Sequence, residues 1–133
     1  MFDHLKVGKL GERLAKLFLE SLGYKILTTN WRFRFGEIDI VCEKEDILVF
    51  VEVKTRRNSR FGRPEEYFDK KKQKRLLKAI SKYLSQNKLW DRSCRVDVIS
   101  INLEPTKWHI EHFKNVFEVS KAMDSSHTYW QPW

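Results

Sequence analysis

With 133 residues, 41% of them hydrophobic and 33% charged, the chain can bury one core but not two, and its composition is not that of a disordered or fibrous segment. No run of about 18 apolar residues is present, which excludes a membrane-spanning helix, and the first residues lack the apolar stretch of a signal peptide, so a cytoplasmic protein without a membrane partner is expected. A formal net charge of +8 suits a polyanionic partner.

Residues 8–22, GKLGERLAKLFLESL, repeat apolar side chains at helical spacing and stop at Gly23. At 100° per residue, Leu10, Leu14, Leu17, Phe18 and Leu22 form the predicted buried arc, with Glu12 at its edge. Two roles stay open for Glu12: an exposed partner of Lys16 one turn on, or a carboxylate over the rim of a sheet. A first strand is predicted over residues 24–29. The following NWRFRFG alternates aromatic and basic residues. Trp31, Phe33 and Phe35 are either one face of a strand or a lip on which bases stack while Arg32 and Arg34 meet phosphates.

The next stretch, GEIDIVCEKEDILVFVEVKTR from Gly36 to Arg56, reads as two strands joined by a polar turn at 43–46. Alternation puts Leu48, Phe50, Glu52, Lys54 and Arg56 on one side and Val49, Val51, Val53 and Thr55 on the other. Two charges thus follow two large apolar residues on one face of a strand that otherwise reads as buried. Such groups are costly there unless paired or bound to metal.

Residues 55–66, TRRNSRFGRPEE, carry Arg56, Arg57, Arg60 and Arg63 without periodicity and are expected to form a loop. A second helix follows over 68–87, with Leu76, Leu77, Ala79, Ile80, Tyr83 and Leu84 inward and Lys70, Lys71, Lys74, Lys78 and Lys82 outward. Lys72 and Gln73 break the pattern by projecting within the apolar arc, one turn before it becomes apolar. Residues 93–103 form another alternating strand, with Val96 and Val98 opposite Asp97, Ile99 and Ile101. Pro105 marks a turn and 108–115 a last strand. One domain over residues 1–120 with a loose tail over 121–133 is expected. Cys42 and Cys94 have no metal-type spacing and read as reduced core residues.

Asp39, then Glu52-Val53-Lys54 thirteen to fifteen positions on, has a chemical rationale. Two carboxylates on adjacent strands can share one divalent cation, and hard oxygen ligands suit magnesium or manganese. The carbonyl of Val53 could join them, and Lys54 could stabilise charge on an attacked phosphate. As a bare spacing the pattern is common, and an ion pair of modest value is the simpler account of it.

The surrounding text is more specific. GERLAKLFLESLGYKILTTNWRFRFGEIDIV, then VFVEVKTRRNSRFGRPEEYFDKKKQKRLLKAISKYL, then RVDVISI resembles the YraN-type family of small endonuclease-like proteins over about residues 8–117. That family is similar to the archaeal Holliday-junction resolvases and the restriction-endonuclease-like nucleases. The resemblance implies an α/β fold with a restriction-endonuclease-like core, a mixed central β-sheet flanked by helices in αβββαβ order. It also implies metal-dependent hydrolysis of phosphodiester bonds in branched or structured DNA. In that reading Asp39 and Glu52 bind Mg2+ or Mn2+ with Val53, and Lys54, Glu12 and Lys72 complete the catalytic set. Glu37 belongs to the GEID signature. Arg32, Arg34, Arg56, Arg57, Arg60, Arg63, Lys71 and Lys74 are the expected nucleic-acid contacts, and a homodimer is implied because resolvases cut two strands symmetrically. The chain departs from the superfamily pattern in having Ile38 where a proline often precedes the aspartate, and in its Trp-rich tail. A non-catalytic nucleic-acid-binding protein of the same fold is the alternative.

Overall fold

The computed structural model describes residues 4–34, 36–56, 69–117 and 119. The element order is α1 (His4–Ser21), β1 (Lys25–Phe33), β2 (Gly36–Lys44), β3 (Ile47–Arg56), α2 (Lys70–Gln86), β4 (Ser93–Leu103) and β5 (Trp108–Phe117). The five strands make one sheet in sequence order; β3 and β4 run parallel and the other neighbours antiparallel. The parallel pair requires a crossover, and α2 supplies it. The αβββαβ succession is therefore present, with β5 adding an antiparallel edge. The predicted loop after Arg56, with Arg57, Arg60 and Arg63, lies outside the described residues, as does the C-terminal tail.

Local chemistry explains the boundaries. Glu45 and Asp46, both at positive φ, form the two-residue turn between the paired Lys44 and Ile47. Asp69 caps α2, its carboxylate accepting the Lys72 N–H at 2.8 Å.

Each face of the sheet carries its own core. Leu48, Phe50, Val96 and Val98 pack with Leu76, Leu77, Ile80 and Leu84 of α2. Val49, Val51, Ile99 and Ile101 pack with Ala15 and Leu19 of α1. The expected alternation of β3 and of β4 is thus realised.

The buried arc of α1 differs from the predicted one. Val7, Gly11, Ala15 and Leu19 face the sheet, whereas Leu17 is 56% exposed and Leu22 43%. Gly11 lies so close to β3 that a Cβ there would collide with the Thr55 side chain. This close approach turns the i, i+4 row of small residues inward and the larger leucines to the flank. Leu22 is also past the helix end at Ser21, so a helical projection misplaces it.

Candidate active site

The site begins where β2 leaves β3. Their ladder runs from Lys44↔Ile47 to Ile40↔Val51 and goes no further. One residue on, Asp39 Oδ2 accepts the Val53 N–H at 2.8 Å, so a side chain replaces the backbone acceptor that a continued ladder would provide. Alternation also slips at this point: Ile38 and Val41 share the α2-side core while Ile40 joins the α1 side. On the other flank, Thr29↔Ile40 and Trp31↔Ile38 place Asn30, at φ 52°, across from Asp39.

Asp39 is 9% exposed. Burial and the Glu52 charge, aided by Glu12 and Glu37, push its carboxyl up to about 7 against the opposing bond from Val53. Three elements therefore gather four carboxylates around one point: Glu12 from α1, Glu37 and Asp39 from β2, Glu52 from β3. This answers the open question about Glu12, which is half-buried and close enough for its charge to act on Asp39.

Lys54 Nζ lies 3.3 Å from Glu52 Oε1, both side chains being about three-quarters buried. Lys72 comes to the same place from the first turn of α2. Its pKa is held down first by the Lys54 charge, then by burial and by a hydrogen bond with Lys54, against the pull of Glu52 and Asp69. Lys72 is exposed as a residue and yet reaches the site, in keeping with its anomalous place in the helical pattern.

Among the described residues, no three His, Cys, Asp or Glu side chains form a ready-made metal cage. The donor set nonetheless fits a hard divalent cation. Asp39 sits among carboxylates whose mutual repulsion such a cation would relieve, and all the candidate donors are oxygens.

Of the expected nucleic-acid contacts, Arg32, Arg34, Arg56, Lys71 and Lys74 fall among the described residues, towards this end of the sheet, and Arg57, Arg60 and Arg63 fall outside them. Arg34, Arg56, Lys71 and Lys74 are exposed. Arg32 makes an open ion pair with Glu37 at 3.4 Å, of little energetic weight at such exposure. Trp31 is partly committed to the core, edge-on to Tyr83 at 5.5 Å. Phe35 lies outside the described residues. Cys42 and Cys94 are free thiols, buried and half-buried, as expected of reduced core residues.

One prediction follows from Asp39 alone. An acid whose folded-state pKa exceeds its unfolded value holds its proton more tightly when folded, so stability falls as pH rises from about 4 to about 7. Asp39→Asn keeps an oxygen for the Val53 N–H and removes the charge. Unfolding by urea should show the variant more stable than the parent at pH 8 by on the order of 3 kcal/mol, and nearly equal to it at pH 4. An unchanged pH slope would mean that the carboxylate is not under this strain.

Sequence reasoning missed a second buried group. Asp97 is fully buried on the α1 side, where it accepts from Arg95 at 3.0 and 3.1 Å and from the Asn115 N–H at 2.9 Å, and lies 2.7 Å from His112 Nε2. Arg95 also donates to the Tyr24 hydroxyl at 2.7 Å. An acid inside an apolar strand was a visible signal, but its partners on β5 become neighbours only through the fold.

The model of the uncharacterised protein family UPF0102 matches residues 11–101. A UPF0102 protein of Lawsonia intracellularis is 44% identical over 128 residues, covering 96% of this chain and 97% of the relative. One from Flavobacterium psychrophilum is 44% identical over 117 residues, covering 88% and 98%. The solved structure entitled "Crystal structure of SSO0001" is similar at 11% identity and a TM-score of 0.35, over 92% of this chain and 56% of that one.

Proposed function

We propose a nuclease function for this chain, which belongs to the uncharacterised protein family UPF0102: metal-dependent endonucleolytic hydrolysis of phosphodiester bonds in branched or structured DNA, on a restriction-endonuclease-like core. One observation carries the reading. A buried aspartate, its pKa raised by that burial and by neighbouring carboxylates, sits where two strands part, with Glu52, Lys54 and Lys72 at the same end of the sheet.

Asp39 and Glu52, with the carbonyl of Val53, would hold Mg2+ or Mn2+. Bound there, the cation would supply Lewis acidity and a water made more acidic. The Val53 N–H fixes the orientation of Asp39 through Oδ2. Glu12 adds negative charge on the α1 side, which strengthens the hold on a cation. Lys54 provides a preorganised positive charge for the phosphate as negative charge builds on it. Lys72, its pKa lowered by Lys54, gives up a proton more readily than an isolated lysine and can exchange one with water or the leaving oxygen. The basic residues around the site would hold the backbone without reading sequence. Two copies would be needed to cut a junction symmetrically.

The second reading, a nucleic-acid-binding module without turnover, draws on the orientation of Glu52 towards Lys54 and on the missing three-ligand cage among the described residues. One experiment separates the two. Four-way junctions, flaps, linear duplexes, single strands and RNA are incubated with the protein and magnesium or manganese, then with chelator. Cleavage that the chelator stops is expected, together with loss of both cleavage and calorimetric cation binding in Glu52→Ala at unchanged circular dichroism. Tight binding without cleavage of any substrate would leave the binding module; cation binding unchanged in Glu52→Ala would refute the site.

A further inference from the structure

A groove of about 590 Å³ runs between α1 and β1 on the face away from α2. Its α1 wall carries Lys9, Arg13 and Lys16 with Leu17; its β1 wall carries Thr29 and Asn30. The groove leads to the site from two directions. Glu12, which lines it, acts on Asp39 by charge, and Asn30 stands across the strand pair from Asp39.

The three cations are spaced i, i+4 and i+7, and with Lys6 they fall in a strip roughly 80° wide along the helix. All four residues are exposed. Several basic side chains elsewhere in the fold are tied down: Arg92 to Glu43, Arg95 to Asp97, Lys44 to the Leu22 carbonyl. Among the described residues, no ion pair, side-chain hydrogen bond or ring contact engages Lys9, Arg13 or Lys16. This holds although Glu12 and Glu20 both stand one helical turn from Lys16. Lys9, Arg13 and Lys16 thus stand in a row without a direct ion pair among the described residues, outnumbering the two carboxylates of the groove, Glu12 and Glu20, beside a leucine 56% exposed. Seven residues of helix span about 10 Å, the axial rise of about three nucleotides of one strand. Phosphates would meet the cations, Leu17 would offer apolar surface to a sugar or base, and Asn30 and Thr29 would offer polar groups opposite. Glu20 ends the row, where its charge turns phosphates away.

We infer that this groove is the track of one nucleic-acid strand, its phosphodiesters held by Lys9, Arg13 and Lys16 and delivered past Glu12 to Asp39. The inference rests on the nuclease reading and extends it to the opposite face of the sheet from Lys71 and Lys74. The two basic surfaces lie on opposite faces of the sheet, so a substrate engaging both through the site would bend or branch there.

The test is the salt dependence of binding, measured by fluorescence anisotropy with labelled single-stranded and four-way-junction DNA and without divalent cation. Lys9→Ala/Arg13→Ala/Lys16→Ala should weaken binding about tenfold or more and lower the magnitude of the log–log salt slope by about 2 to 3. A control triple at the other end of the sheet, Lys25→Ala/Lys88→Asn/Lys114→Ala, removes the same charge and should change the slope by less than one. If both triples lower affinity equally, the effect is one of net charge and the track is refuted. If wild type binds and the α1 triple keeps the full slope, the track fails while the nuclease reading stands. If wild type binds neither DNA at any salt, the nuclease reading fails as well. Circular dichroism on both triples checks the fold, and these exposed positions contribute no buried contact.

Discussion

Replacing Lys54 by alanine should lower single-turnover cleavage about a hundredfold or more while leaving DNA affinity nearly unchanged, the loss seen when a preorganised electrostatic donor is removed. Strand alternation puts Lys54 on the face of Glu52, and the structure brings their charged atoms to 3.3 Å in a three-quarters-buried setting. An ammonium so placed need not reorganise as charge develops on a phosphate. Because Lys72 stands beside it, some positive charge remains in the variant, and Lys54→Ala/Lys72→Ala should fall further than Lys54→Ala alone. Affinity comes from the wider basic surface, so a dissociation constant that rises in step with the fall in rate would make Lys54 a binding residue. A lower melting temperature with both DNA measurements intact would make it a structural partner of Glu52. Full-speed cleavage by Lys54→Ala would remove it from the mechanism.

The second large effect concerns stability and lies away from the site, at Asp97. Asp97→Ala should cost about 3–5 kcal/mol, because it takes the shared acceptor from the buried His112, the partly buried Arg95 guanidinium and the Asn115 N–H. Against a total stability of about 5–15 kcal/mol, this is a large share. Asp97 lies at the irregularity in the β4–β5 ladder between Val96 and Val98, opposite Asn115 at φ 54°, so its carboxylate holds the edge strand where regular pairing lapses. Burial pushes the carboxyl up, but hydrogen bonds with His112, Arg95 and the Asn115 N–H outweigh it and hold it below its usual value. A depressed acid stabilises fully above its unfolded pKa of 3.8 and loses that contribution as pH falls through the lower folded value. The gap between parent and Asp97→Ala should therefore be widest near neutrality and narrow below about pH 4. Urea unfolding at pH 7 and pH 3 measures both; a difference under 1 kcal/mol at pH 7 would show that the network is not a strut.

Much of the candidate site could be read from the chain because strand alternation is a strict rule with period two. It placed Glu52 and Lys54 together beyond Leu48 and Phe50, and β3 obeys it from end to end. Lys72 was legible for a similar reason: a lysine in the apolar arc of α2 has to point towards whatever α2 covers. The same reasoning failed on α1. Hydrophobic patterning gives weight to leucine and none to glycine, whereas the helix docks through Gly11 and Ala15 because small residues allow the closest approach to β3.

Sequence by itself determined the order of elements, their inward faces on β3, β4 and α2, and the membership in UPF0102, since each depends on residues near one another in the chain or on the order of motifs. Tertiary structure alone decided which distant groups meet. Asp39 gains its bond to Val53 where β2 parts from β3, Glu12 reaches it from a helix docked by glycine, and Asp97 finds His112 and Asn115 across a strand pair. Those meetings are fixed by strand register, helix docking depth and the break in a ladder. All three are set by packing over the whole core, to which no single segment's pattern has access.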